Sequence, residues 1–257
     1  MRHSRTLFAV AIAVLAFLLA PFVVIFIVSF GETLSFPPTH LTLNWYIKAF
    51  SMPMFVSAFK LSLLIALLAS GISLFLGIPT AYGIVRFPVR GRGLIESVFT
   101  FPVVVPMLVI GFALLRFLVL FGRAPVILSL LIGHTILLIP YAVRVTAASL
   151  RNFDPRIEEA AISLGASRWK AFFRVILPNV KTGVLAAFIL GFTLSFNNVS
   201  ISLFLSGPGV TTLPIQMLSY MEYYYNPLIA AWSVIIIVLI VFISQIAEKT
   251  VGLSKYM

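Results

Sequence analysis

Long hydrophobic runs recur along the chain and are separated by short polar segments. They cover residues 7–30, 61–85, 97–115, 124–143, 183–206 and 227–247. Each run is close to the ~20 residues that an α-helix needs to cross the hydrocarbon core of a bilayer. The pattern predicts an all-α integral membrane protein with six transmembrane helices, forming a single transmembrane domain over residues 1–257.

The polar segment 154–178, between the fourth and fifth runs, has a second kind of pattern. Its apolar residues follow i, i+3, i+4, i+7 spacing in two sets, which predicts two short amphipathic helices. The sets are Ile157, Ala160, Ala161 and Leu164, then Trp169, Phe172, Phe173 and Ile176. Asp154 and Ser167 suit the caps of the two helices, and Gly165 suits a left-handed residue between them. We predict a hairpin at the membrane surface that docks a partner.

The composition agrees with a membrane protein. Hydrophobic residues make up 61% of the 257 residues and charged residues 10%, which is too apolar for a soluble domain of this size. The net charge of +11 raises the question of a nucleic-acid partner. The distribution of the positive charge gives a different explanation.

Most basic residues fall on one predicted side of the membrane. With the N-terminus inside, 14 of the 18 Lys and Arg residues lie in inside segments. The other four are Lys48, Lys60, Arg116 and Arg123. Because positive loops favour the cytoplasm, this bias predicts N-in/C-in topology. It accounts for the basic character without nucleic acid.

Polar side chains within the runs are candidates for function. Ser195, Asn198 and Ser202 recur at i, i+3 and i+7 beside Asn197, and such residues avoid lipid. They suit either hydrogen bonds between helices or the lining of a solute path. His134, in the fourth run, is expected to bond to a neighbouring helix, with a proton relay as the alternative. Arg116 is expected to snorkel to the surface, with a substrate role as the alternative.

Several kinds of site are missing from the sequence. It has no cysteine, no glycine-rich phosphate loop and no zinc-binding motif, and no acidic residue lies at the centre of a run. We therefore predict no catalytic residues, no metal site and no enzymatic activity. A permease driven by a separate ATPase fits best. An ion-coupled secondary transporter, which would favour acids within the membrane or inverted repeats, is the alternative.

The polar segment resembles the EAA loop of type I ABC importer permeases. It has Glu159-Ala160-Ala161, three residues, Gly165, nine residues and then Val175-Ile176-Leu177-Pro178. Other strings are similar to the spermidine/putrescine-type branch of these permeases. They are PVVVP at 102–106, GFALL at 111–115, FTLSF at 192–196, SGP at 206–208 and TLPI at 212–215.

The resemblance implies partners and site residues. It implies a bacterial inner-membrane permease that forms a heterodimer with a homologous subunit and works with two ATPase subunits and a periplasmic binding protein. ATP and Mg²⁺ would be bound by the ATPase, and this chain would bind no cofactor. The implied ATPase-docking residues are Glu159, Ala160, Ala161, Gly165, Ser167, Trp169, Phe172 and Pro178. The substrate-path candidates are Ser195, Asn197, Asn198, Ser202 and Arg116.

The resemblance also implies transport by alternating access. The implied solute is a polyamine, another small amine, an amino-acid-derived compound or another small organic solute. Polyamine carriers of the branch often have acidic residues after the Thr-Leu-Ser string. This chain has Asn197-Asn198 there, which offers hydrogen bonds without negative charge. A neutral, zwitterionic or anionic solute is therefore an equal alternative.

Overall fold

The computed structural model describes residues 2–88, 90–122 and 124–251, and its regular elements in these ranges are helices. Arg123 and Lys255, which contribute to the predicted charge distribution, lie outside the described residues. The helices are α1 (Arg2–Ser29), α2 (Asn44–Ser51), α3 (Pro53–Arg86), α4 (Arg92–Val104), α5 (Met107–Leu120), α6 (Val126–Asn152), α7 (Pro155–Ser163), α8 (Arg168–Ala171), a π-helix (Phe172–Ile176), α9 (Leu177–Asn179), α10 (Lys181–Phe196), α11 (Ser200–Leu205), α12 (Leu213–Met221) and α13 (Leu228–Val251).

Four helical stretches are long and apolar enough to cross a membrane. They are Thr6–Ser29, Pro53–Arg86, Val126–Asn152 and Leu228–Ile246. Counting the segments Arg168–Asn179 and Lys181–Phe196, which are bent by 69° relative to each other, as one broken span gives a fifth. The fold is therefore all-helical with four or five apolar spans among the described residues.

Two predicted spans are interrupted in the structure. The run 97–115 is divided between α4 and α5, because Pro106 has no backbone N–H and restricts the residue before it to extended conformations. The run 183–206 is divided between α10 and α11 at residues 197–199. There the Asn198 side chain bonds to backbone N–H groups and replaces helical hydrogen bonding. The prediction of one continuous helix in each run was wrong.

The chain divides into two compact units. One contains Met1–Ser57 and Met217–Val241, and the other contains Ala58–Gln216 and Phe242–Met257. In the first unit, the rings of Phe50 and Phe55 pack 5.6 and 5.7 Å from the buried Trp232 ring. The second unit contains all the predicted site residues.

The second unit has an apolar layer beneath the polar segment. Phe172 and Ile176 are buried there with Ala81 and Ile84 of α3 and Leu150 of α6. A second cluster surrounds Leu138 of α6 and Ile201 of α11. These layers fix the predicted docking segment against α3 and α6, and fix α11 against α6.

Candidate functional site

The polar segment folds as two short helices with the predicted caps. Asp154 Oδ1 accepts the backbone N–H of Arg156 at 2.9 Å, and Pro155 is the first residue of α7. Ser167 Oγ accepts the N–H of Lys170 at 3.3 Å at the start of α8. Gly165, between the two helices, has φ +93°, a left-handed conformation that penalises any residue with a Cβ. These local features of the prediction are confirmed.

Helix α7 turns its apolar side away from the rest of its unit. Leu164, which follows the helix, is 90% exposed, and Ile157 and Ala160 are also exposed. Glu158 is the buried residue of the helix, with 6% exposure. An apolar surface turned outward while a carboxylate is turned inward is the reverse of ordinary core packing. This arrangement leaves an apolar surface available for a partner.

Glu158 is held by two side chains of the last turns of α3. Its Oε2 lies 3.2 Å from Arg86 Nε, an ion pair that lacks the alignment of a hydrogen bond, and its Oε1 accepts a hydrogen bond from the Tyr82 hydroxyl. Arg86 Nη2 also donates to the backbone carbonyl of Phe153 at 3.1 Å. Sequence reasoning missed Glu158 because its partners are more than 60 residues away, and nothing local distinguishes it from Glu159.

The second half of the segment is divided between exposed and buried aromatic rings. Trp169 is 73% exposed and its ring stacks on that of Phe173, with centroids 6.1 Å apart. Phe172 is 7% exposed, and its ring lies 4.9 Å from that of Tyr82. Phe172 and Phe173 are consecutive residues and therefore point to different sides of the helix, so Phe172 packs inward while Phe173 and Trp169 remain exposed. The π-helical turn Phe172–Ile176 begins at this point.

The other predicted docking residues lie on the surface. Glu159, Ala160, Gly165, Ser167 and Pro178 are exposed, and Ala161 is half-buried. An apolar cavity of about 330 Å³ adjoins Trp169 and Phe172, with Tyr82 and Phe87 in its wall. Seven of the eight predicted docking residues are thus exposed or half-buried, whereas the eighth, Phe172, packs inside the chain.

The polar residues of the fifth run meet His134 of α6. His134 Nδ1 lies 2.7 Å from Ser195 Oγ, and Nε2 lies 3.0 Å from Ser202 Oγ. All three side chains are buried. The expected hydrogen bonding of His134 to a neighbouring helix is confirmed. It joins α10 and α11 on the two sides of their interruption.

The two asparagines at this interruption differ in environment. Asn198 is buried, and its Oδ1 accepts the N–H of Ile201 at 2.9 Å. Its Nδ2 lies 3.9 Å from the sulfur of Met107, the first residue of α5. The interruptions of the third and fifth runs are therefore adjacent in space. Asn197 is exposed, and its Nδ2 donates to the carbonyl of Thr193 at 3.1 Å.

Arg116 does not belong to this polar group. Its side chain is exposed on α5, four residues before the helix ends at Leu120. The structure therefore brings together four of the five substrate-path candidates, Ser195, Asn197, Asn198 and Ser202, at or next to one helix interruption, and leaves Arg116 apart from them.

Comparison with known proteins gives consistent results. Residues 73–251 match the family described as binding-protein-dependent transport system inner membrane component. The chain is 34% identical over 229 residues to the putrescine transport system permease protein PotI of Escherichia coli strain K12, which covers 86% of this chain and 82% of PotI. It is 29% identical over 244 residues to the spermidine/putrescine transport system permease protein PotC of the same strain, covering 95% and 92% of the two chains.

A solved structure shares the fold. A chain of a bacterial ABC transporter involved in the import of the acidic polysaccharide alginate superposes with a TM-score of 0.69 and 18% sequence identity. The match covers 96% of this chain and 97% of that chain. At this identity the likeness concerns the fold alone.

Proposed function

The chain belongs to the family of binding-protein-dependent transport system inner membrane components, and from this premise we propose how it assembles, docks and passes its solute. It is the permease component of an ABC importer in the bacterial inner membrane. It is not an enzyme, because ATP is hydrolysed by a separate subunit in such importers. The ion-coupled alternative is thereby set aside.

The proposed assembly contains four kinds of subunit. This chain pairs with a homologous permease subunit, as a heterodimer, and the pair binds two ATPase subunits on the cytoplasmic side. A periplasmic binding protein delivers the solute. ATP and Mg²⁺ are bound by the ATPase. PotI and PotC, named as permeases of transport systems, support this assembly.

The proposed topology has six spans with both termini in the cytoplasm. Four spans are the long apolar helices. A fifth is α10 with α11, without the bent segment Arg168–Asn179 that precedes it, and a sixth is α4 with α5. The positive charge of the predicted inside loops supports this orientation. It places α7 and α8 in the cytoplasm.

The proposed ATPase-docking surface consists of Glu159, Ala160, Ala161, Gly165, Ser167, Trp169 and Pro178, with Phe172 supporting it from beneath. The observation that carries this proposal is the outward apolar side of α7 above a buried Glu158. Apolar surface of this kind is costly to leave in water, and a groove of a partner would cover it. The position agrees with the EAA resemblance.

Alternating access then follows from docking. A loaded binding protein binds outside, ATP closes the ATPase pair, and the docked helices transmit that motion to the spans. The cavity opens outward and receives the solute, and hydrolysis resets it. A partner shifts such an equilibrium only by its difference in affinity for the two states. The docking surface must therefore contact the ATPase differently in each state.

The proposed solute is a small amine of the polyamine class. The similarity to PotI and PotC supports this class. Asn197 and Asn198 do not provide an anionic counter-charge, so we propose that they recognise the solute by hydrogen bonding and that charge selection lies in the binding protein. A neutral or anionic solute is a distinguishable outcome of the transport test.

The proposed solute path passes the two adjacent helix interruptions, at residues 105–106 and 197–199. Irregular backbone at membrane depth is tolerated where it is buried in protein or lines a water-filled cavity. Exposed Asn197 faces the path, whereas Ser195, Asn198 and Ser202 hold the interruption in shape through His134 and α11.

Transport by the reconstituted complex tests this function. Proteoliposomes containing both permease subunits and the ATPase are supplied with the binding protein outside and ATP inside. Radiolabelled putrescine and spermidine should accumulate only when ATP and binding protein are both present. Accumulation driven by an ion gradient without ATP would contradict the proposal. ATP-dependent uptake of another solute alone would overturn only the solute class.

A further inference from the structure

Glu158 and Arg86 form a link between α7 and α3 on the inward side of α7, away from the residues of the proposed docking surface. Both side chains are largely buried, with 8% and 12% of the side chain exposed. Tyr82, one turn before Arg86, donates its hydroxyl to the same carboxylate. Two residues of the last turns of α3 therefore converge on one residue of α7.

Arg86 also anchors the segment that leads into α7. Its Nη2 donates to the Phe153 carbonyl, and its guanidinium carbon lies 5.7 Å from the centre of the Phe153 ring. Phe153 lies between α6 and α7. One guanidinium thus holds both the entry to α7 and a residue of its first turn. The contact joins residues separated by 67 positions, so chain connectivity alone does not impose it.

The energetics favour joint movement of these elements. If α7 slid along α3, a buried carboxylate and a buried guanidinium would lose their partners, and an unpaired buried charge is strongly unfavourable. Rotation of α7 alone would also separate the Tyr82 hydroxyl from its acceptor. A force applied to α7 is therefore relieved at lower cost by moving α3 with it.

We propose that Glu158 is a positioning residue that, with Arg86 and Tyr82, fixes α7 to the last turns of α3 so that ATPase motion enters the membrane through α3. This inference rests on the proposed function of α7 as the docking helix. It assigns transmission to the inward side of α7 and docking to its outward side. The two sides can be tested separately.

The transport test uses Glu158→Gln in the complete complex with its binding protein. This change keeps the size of the side chain and an oxygen for Tyr82, but removes the charge that pairs with Arg86. The ATPase should remain bound and hydrolyse ATP, while solute transported per ATP falls at least about fivefold, the low end of ordinary coupling effects. Tyr82→Phe, which removes only the hydroxyl, should produce a smaller loss in the same direction.

Glu159→Gln is the matched comparison on the outward side of the same helix. It should reduce the amount of ATPase that co-purifies, because Glu159 belongs to the docking surface. Unchanged transport per ATP in Glu158→Gln would overturn the inference. Loss of ATPase binding in Glu158→Gln would overturn it too, since the residue would then act in docking. If neither the wild type nor any variant binds the ATPase, the proposed function fails instead.

A distance measurement tests the link without altering it. The chain has no cysteine, so spin labels at Thr80→Cys on α3 and Ser163→Cys on α7 report one distance in the assembled complex. That distance should be the same in nucleotide-free and ATP-bound states, while a label pair on the two ATPase subunits confirms that closure has occurred. In the Glu158→Gln background it should change on ATP binding. A change in the wild type would show that α7 slides on α3 and would overturn the inference.

Discussion

The ring of His134 lies 2.7 Å from the Ser195 hydroxyl, and both side chains are buried within the second unit. Ser195 precedes the interruption at 197–199, and the other ring nitrogen lies 3.0 Å from Ser202, which follows it. One imidazole therefore satisfies a hydroxyl on each side of a broken helix. Water is scarce inside a membrane, so polar groups near an interrupted helix need hydrogen-bond partners within the protein, and His134 provides one on each side of the interruption.

Replacing His134 by leucine should destabilise the chain. Each lost interhelical hydrogen bond in a membrane costs about 0.6 kcal/mol on average and at most about 1.7 kcal/mol. Thermal unfolding of the purified complex measures the loss. In a Ser195→Ala/Ser202→Ala background, the same replacement should lower the stability much less, because the hydrogen-bond partners of His134 are already absent. An equal cost in both backgrounds would show that His134 stabilises the chain by some other contact.

The neighbouring asparagines should respond differently to leucine. Asn198→Leu removes the acceptor for the Ile201 N–H and should lower stability by about 0.5 to 2 kcal/mol, the usual cost of losing a helix cap. Asn197→Leu should leave assembly and ATPase binding intact and reduce uptake, because Asn197 is exposed to the proposed path. Yield, melting temperature and uptake are measured for both. Wild-type uptake in Asn197→Leu would remove this residue from the path.

The architecture was predictable to the extent that it depends on local composition. Hydrophobic length located the long helices, because about 20 apolar residues are needed to cross a bilayer. It did not locate the interruptions at Pro106 and at Asn197–Val199, since a helix broken within the membrane has the same average hydrophobicity as an intact one. The break at Asn198 depends on the contacts that its side chain makes in the folded protein, with the Ile201 N–H and with Met107 of α5.

Gly165→Val should impair the coupling between the ATPase and the proposed docking helices α7 and α8. The residue has φ +93°, and a β-branched side chain in the left-handed region costs roughly 1 to 2 kcal/mol or forces the turn to change. The direction of α8 should change relative to α7, and uptake and binding-protein-stimulated ATP hydrolysis should fall together. Normal stimulation in this variant would mean that the turn does not orient the docking surface.

Gly91→Val provides the matched control. Gly91 also has positive φ, +77°, and open space around it, but it precedes α4 and lies outside the docking segment. The two variants therefore carry similar backbone strain at different places. Stimulation of ATP hydrolysis should survive in Gly91→Val. An equal loss in both would indicate a general effect of strain on folding.

The site was predictable in its turns and caps and unpredictable in its orientation. Asp154, Gly165 and Ser167 act through atoms within four residues, so sequence spacing identified them. The burial of Glu158 on the inward side of α7 could not be predicted, because its partners lie on α3, far away in the sequence. Trp169 and Phe172 belong to the same apolar spacing, yet Trp169 is exposed and Phe172 is buried against Tyr82 of α3, a residue distant in the sequence.

The proposed topology predicts opposite labelling of two exposed positions. Cysteines introduced singly at Ser167 and Tyr224 into this cysteine-free chain should react with a membrane-impermeant maleimide from the cytoplasm and from outside, respectively. Intact cells and inverted vesicles separate the two sides. Reaction of both positions from outside would contradict the six-span arrangement.

The most direct test of the central claim is photo-crosslinking from the outward side of α7. A benzophenone is attached to cysteine at Ile157 or Leu164, and at the exposed Phe112 of α5 as a control. In the assembled complex, the first two positions should form adducts with the ATPase subunit, and Phe112 should not. Adducts of Ile157 and Leu164 with lipid or the second permease alone would contradict the claim that this surface docks the ATPase.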